Sequence, residues 1–166
     1  MMSQSKKHSL KAAKEARGGG AFLPLRLDVL KSQALAKLSP YACKLLLDLA
    51  SQWRLGNNGD ASAAFEKVLR QRGWKSKATL QKSINELLES GLIIKTRQGS
   101  LHQCSLFGLG WLAIDECGGK LEMRPTTRPI NNWLDPIQAK IKTPSTARVP
   151  KQVKNTDLGT PRVLDG

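Results

Sequence analysis

The chain has 166 residues and carries 27 Lys and Arg against 13 Asp and Glu, a net charge of +14. That length supports one domain with a modest core, and no apolar run approaches the roughly 20 residues of a membrane helix. A pI of about 10.1 points to an acidic partner, nucleic acid foremost, with an acidic membrane surface or a solubilising tail as the bland alternatives.

In chain order, residues 1–20 hold five positive charges and one negative and end in Gly18-Gly19-Gly20. With no apolar periodicity, they are expected to form a flexible basic arm or a frayed helix. Lys6 and Lys7 precede no apolar stretch, so no secretory signal is expected. Residues 21–122 contain most of the apolar residues and are the expected folded domain.

Within that domain, Phe22 to Leu27 alternates apolar and other residues, which suits a short extended entry. Asp28 is placed to cap a short helix through Lys37. Ser39-Pro40 is a strong helix start, a hydroxyl cap followed by a proline whose missing N–H is not needed there. The helix behind it repeats Ala42, Leu45, Leu46, Leu49 and Trp53 along one stripe. Gly56 to Asp60 reads as a turn, and Ala61 to Ala63 as a single short strand. Ala64, Phe65, Val68, Leu69 and Trp74 form the buried side of a further helix, which Gly73 closes.

Ser76 opens the most informative helix of the chain. Its apolar positions Leu80, Ile84, Leu87 and Leu88 fall within about 100° on a helical wheel. The other side carries Ala78, Thr79, Lys82 and Asn85, flanked by Lys77 and Gln81, with Lys75 and Ser76 at the entrance. These side chains suit a major groove. Lysine contacts phosphates or guanine, Asn and Gln pair with adenine, and small methyl groups meet thymine. Glu86 and Glu89 are expected to tilt away from the phosphates. Gly91 stops the helix, and Leu92-Ile93-Ile94 begins a strand that passes Lys95, Thr96 and Arg97. The strand turns at Gln98-Gly99-Ser100 and returns through His102 to Leu109, with Cys104, Leu106 and Leu109 facing inward. Lys95, Arg97, Gln98 and His102 are therefore the candidate contacts of a hairpin beside the helix. Residues 67–103 hold eight Lys or Arg against two Glu, whereas residues 21–66 are near balance.

Residues 123–166 hold most of the prolines, with eight positive charges against three negative, and read as a largely disordered basic tail. Trp133-Leu134 is an exception within it. The pair either folds back onto the domain or docks on a protein partner.

Asn57-Asn58-Gly59-Asp60, the turn before Ser76, the Ser76 to Ile93 block and the following hairpin resemble a bacterial winged helix-turn-helix domain. The likeness spans roughly residues 21–115 and is greatest to regulators and replication proteins of plasmids, phages and integrative elements. It implies a mainly α fold with a small β-hairpin (α+β) and a helix of about residues 76–90 in the major groove of double-stranded DNA. A wing of about residues 95–106 would lie on the backbone or minor groove. It also implies a monomer or homodimer acting as a transcription regulator or replication accessory factor in the bacterial cytoplasm, associated with the nucleoid. The second winged-helix copy that many initiators carry is not found, which favours the regulator or accessory role.

Enzymatic activity is not expected. The histidines are His8 and His102, Tyr41 is the sole tyrosine, and no phosphate-binding GxxxxGK[ST] loop occurs. Cys43, Cys104 and Cys117 are widely spaced, which fits reduced thiols better than a disulfide framework or a zinc site. No cofactor or metal is therefore expected. The alternative function is a protein-interaction adaptor on the same fold, with only non-specific affinity for nucleic acid. RNA binding ranks third, because no exposed aromatic platform is evident for stacking bases.

Overall fold

The computed structural model describes residues 22–135, together with 11–13, 15, 16 and 18. Residues 11–13, 15 and 16 are helical and Gly18 lies in a turn; the other residues of the expected arm, and residues 136–166 of the expected tail, lie outside the described residues. Among the described residues, no helix is long and apolar enough to cross a membrane.

The chain enters as extended backbone over residues 22–26, fixed where the indole N–H of Trp111 donates to the Pro24 carbonyl at 3.2 Å. The single helix expected from Asp28 to Lys37 is instead two, α1 (Leu27–Leu30) and α2 (Gln33–Ala36). The break has a local cause. Ser32 is extended and its side chain caps Leu35 N–H at 3.1 Å, starting a new helix. Helix α3 (Pro40–Ala50) follows, with Ser39 accepting from Ala42 N–H and Pro40 in the first turn. It buries Ala42, Leu45, Leu46 and Leu49.

After the turn at residues 56–60 comes β1 (Ala61–Ser62). The next expected helix is irregular, a π-helical turn (Phe65–Leu69) running into a 3-10 turn (Arg70–Arg72). Gly73 ends it in the left-handed region, at φ +85°. Helix α4 (Lys77–Glu89) then opens at Ser76, and β2 (Ile93–Arg97) and β3 (Leu106–Leu109) complete the domain. The fold is mixed helix and sheet, with three antiparallel strands in the order β1-β3-β2. β3 is the central strand, and all four of its residues are buried.

A bulge between Lys95 and Arg97 interrupts the β2–β3 register. Thr96, the residue it inserts, has no cross-strand partner. Thr96 is buried and donates from Oγ1 to the Gly59 carbonyl at 2.6 Å, while Lys95 is exposed. Cys104, expected to face inward, is exposed. It lies outside β3, so strand alternation does not govern it.

Residues 123–135, expected to belong to the disordered tail, pack on the domain. Thr126 N–H donates to the Ile114 carbonyl, and Asn131 N–H to the Gly110 carbonyl. Trp133 is 3% exposed and joins the core. Of the two fates open to it from sequence, it folds back. The driving force is its large apolar surface, which stays in water unless the chain returns over Gly91.

Candidate nucleic-acid interface

Helix α4 is held to the scaffold at both ends. At its entrance, Asp48 of α3 is a buried carboxylate that accepts from Arg72 Nε, Lys44 Nζ and Trp74 Nε1, each at 2.7 Å. Lys44 Nζ also donates to the Arg72 carbonyl at 2.9 Å and lies 5.2 Å from the centre of a Trp74 ring. Burial pushes the Asp48 carboxyl upward, but the hydrogen bonds from Arg72, Lys44 and Trp74 outweigh it and hold the group below its ordinary value. At the other end, the Glu86 carboxylate accepts from Ser39 N–H at 2.5 Å and from Ser39 Oγ at 2.7 Å. One side chain of α4 thereby satisfies the start of α3, where backbone donors are otherwise unpaired.

Between these attachments α4 buries Leu80, Ile84 and Leu87, with Leu88 half-buried. Ser83 is buried too, on the same side, and spends its hydroxyl on the Thr79 carbonyl at 2.9 Å. The expected reading side chains separate into two groups. Lys75, Ser76, Lys77, Ala78, Gln81, Lys82 and Asn85 are exposed, whereas Thr79 is half-buried. Gln81 donates to Asn85 Oδ1 at 2.9 Å, so these two amides present one joined surface.

Lys77 is partly neutralised. Its ammonium lies 3.1 Å from Glu66, which also takes Arg70 at 2.9 Å, and it sits over Phe65. Hydrogen bonds from Lys77 and then Arg70 hold the exposed Glu66 carboxyl below its ordinary value. Lys75 and Lys82 pair with no carboxylate among the described residues.

The hairpin stands beside this helix. A shallow cleft brings Gln81 and Ile84 of α4 to Lys95, Gln98, Cys104 and Ser105. Its turn, however, lies further along than the sequence suggests. Ser100 N–H donates to the Gln103 carbonyl at 2.8 Å, which makes Leu101 and His102 the outermost residues in place of Gln98 and Gly99. Arg97, one of the expected hairpin contacts, is half-buried at the base. Its guanidinium donates to the Cys104 carbonyl at 3.0 Å and the Lys120 carbonyl at 3.3 Å. Gln98 is braced too, its N–H on Glu122 and its side-chain oxygen on Lys95. Lys95 and His102 remain exposed.

Three polar residues escaped sequence reasoning. Asn58 is 3% exposed and accepts from Leu109 N–H while donating to the Leu109, Leu112 and Ala113 carbonyls, which ties the turn before β1 to β3. Asp48 and Glu86 are the two anchors of α4. Asp48 had a visible signal, an acid three residues after Leu45 on a stripe that is otherwise apolar. Glu86 had none, because its partner lies 47 residues away. Comparison with protein-family models, curated proteins and solved structures finds no match for the chain.

Proposed function

We propose that this chain is a winged helix-turn-helix protein that binds double-stranded DNA. In this reading α4 enters the major groove, the β2–β3 hairpin follows the adjacent backbone or minor groove, and the protein serves as a transcription regulator or replication accessory factor. The observation that carries the reading is the outer face of α4. Lys77, Gln81, Lys82 and Asn85 are exposed on a capped helix of 13 residues, while Glu86 is drawn off to Ser39. Donors and acceptors of this kind read base edges, and Lys75 and Lys82, which pair with no carboxylate among the described residues, are available to phosphates. The antiparallel β2–β3 hairpin that follows α4 supports it, since the resemblance implies a hairpin after the recognition helix.

Selection of bound duplexes from a random pool tests the reading. An enriched sequence is the expected outcome, and a palindromic one would indicate a dimer. Lys82→Ala and Asn85→Ala should each weaken the selected site by about 1–3 kcal/mol and random duplex by less. A pool that yields no enrichment, or a selected site indifferent to both substitutions, sinks sequence-specific binding and favours the protein-interaction adaptor.

A further inference from the structure

The hairpin ends in a feature that the fold does not use. Leu101 is 92% exposed at the apex of the turn from Ser100 to Gln103. The loop below it is cross-braced by hydrogen bonds. Gly99 N–H donates to Ser105 Oγ at 2.9 Å, Ser100 N–H to Gln103, Arg97 to the Cys104 and Lys120 carbonyls, and Gln98 N–H to Glu122. An apolar side chain is thus presented to water on a stiffened support. Its neighbours Ser100, His102 and Gln103 are exposed and polar, and residues 99–105 contain no acid.

We propose that Leu101 is an apolar wedge that enters the minor groove of bound DNA and partly unstacks one base step. The proposal rests on the DNA-binding reading above and gives the hairpin its role within it. With Arg97 and Gln98 committed to the base of the hairpin, the residues that reach furthest are Leu101 and His102. Leucine is among the side chains that open base steps from the minor groove, bending the duplex towards the major groove. His102 beside it matches the acceptor-lined floor of A·T pairs. Pyrimidine–purine steps unstack most readily, so the wedge selects TA or CA/TG. A protein partner is the less favoured occupant. One leucine and three polar neighbours are a small fraction of the roughly 800 Å² per partner that a stable protein interface buries.

The test uses the full chain with its selected duplex, carrying 2-aminopurine in place of adenine at the candidate step, and a bend measurement by end-to-end energy transfer. Binding by the wild type should raise 2-aminopurine fluorescence and bend the duplex by roughly 20–90°. Leu101→Ser should abolish both signals and weaken the selected site by about tenfold, with the melting temperature unchanged because the side chain is 92% exposed. Leu101→Met, which keeps an apolar tip, should retain both signals. A wild type that binds the duplex without bending or fluorescence change overturns the wedge and leaves DNA binding intact. Signals that survive in Leu101→Ser overturn it as well. A Leu101→Ser chain that binds DNA normally but loses a protein partner assigns the tip to that partner instead. If the wild type binds no duplex, the DNA-binding reading itself has failed and the wedge falls with it.

Discussion

The indole N–H of Trp74 donates to the Asp48 carboxylate at 2.7 Å, joining the scaffold helix α3 to the chain that leads into α4. Arg72 takes the other carboxylate oxygen at the same distance, so one buried acid fixes both sides of the left-handed Gly73. Asp48→Ala should destabilise the protein by about 2–3 kcal/mol, because a buried indole N–H then loses its acceptor. The loss stays moderate because the Lys44 and Arg72 side chains are 42% and 43% exposed and can return to water. Asp48→Asn keeps an acceptor and should lose less. Urea denaturation of the three proteins measures both differences.

Acid should remove the charge-dependent part of this contribution. The folded Asp48 carboxyl lies below its ordinary value of 3.8 because the bonds from Arg72, Lys44 and Trp74 outweigh desolvation. A depressed carboxyl stabilises fully above its unfolded value, and the effect is lost as pH falls through the lower folded value. The stability gap between wild type and Asp48→Ala should be constant above about pH 5 and narrow below about pH 4. A gap that stays constant to lower pH would show that the carboxylate charge does not contribute.

Two glycines with similar backbones should respond differently to alanine. Gly73 (φ +85°) has open space where a Cβ would sit, so Gly73→Ala carries only the left-handed penalty of about 1–2 kcal/mol. Gly91 (φ +73°) ends α4, and a Cβ there would come within 2.6 Å of Asn132 C and Trp133 N. Gly91→Ala must therefore also push back the returning chain, and should destabilise by about 3 kcal/mol or more. Thermal melts of the two variants side by side check the order.

Trp133 gives an independent measure of that returning chain. It is 3% exposed, and the Arg26 guanidinium carbon lies 5.8 Å from its ring centre. Trp133→Ala should destabilise by about 3–5 kcal/mol. A loss under about 1 kcal/mol, the range of ordinary surface substitutions, would mean that residues 123–135 contribute little to the core.

On DNA, six phosphate contacts would give a slope near −5 for the logarithm of affinity against the logarithm of salt. Lys75→Ala should make that slope shallower by about 1, since Lys75 is exposed and meets no carboxylate among the described residues. Arg97→Ala should leave it unchanged, because the Arg97 guanidinium is engaged by two backbone carbonyls. Equal slopes for wild type and Lys75→Ala would remove Lys75 from the interface.

The elements legible in the sequence are those whose causes lie within a few residues. Ser39-Pro40 and Ser76 start helices because a hydroxyl satisfies N–H groups two or three positions on. Gly73 and Gly91 stop them because glycine enters the left-handed region without penalty. The stripe of Leu80, Ile84 and Leu87 was visible for the same reason, since helical spacing is a property of the local chain. The candidate site was legible to the same extent, as a list of side chains on one face of one helix.

Its arrangement was not. Whether Arg97 is a free cation or a brace depends on the Lys120 carbonyl, 23 residues away, and the buried Thr96 hydroxyl finds its acceptor only at the Gly59 carbonyl, 37 residues away. Trp133 becomes core only because Gly91 leaves room for the backbone that carries it. The sequence by itself determined the starts of α3 and α4, the stops at Gly73 and Gly91 and the polar face of α4, through contacts that span one helical turn. Only the tertiary structure decided how Asp48 and Glu86 anchor that helix and which residues crown the hairpin, because those bonds join segments that meet only after the chain has folded.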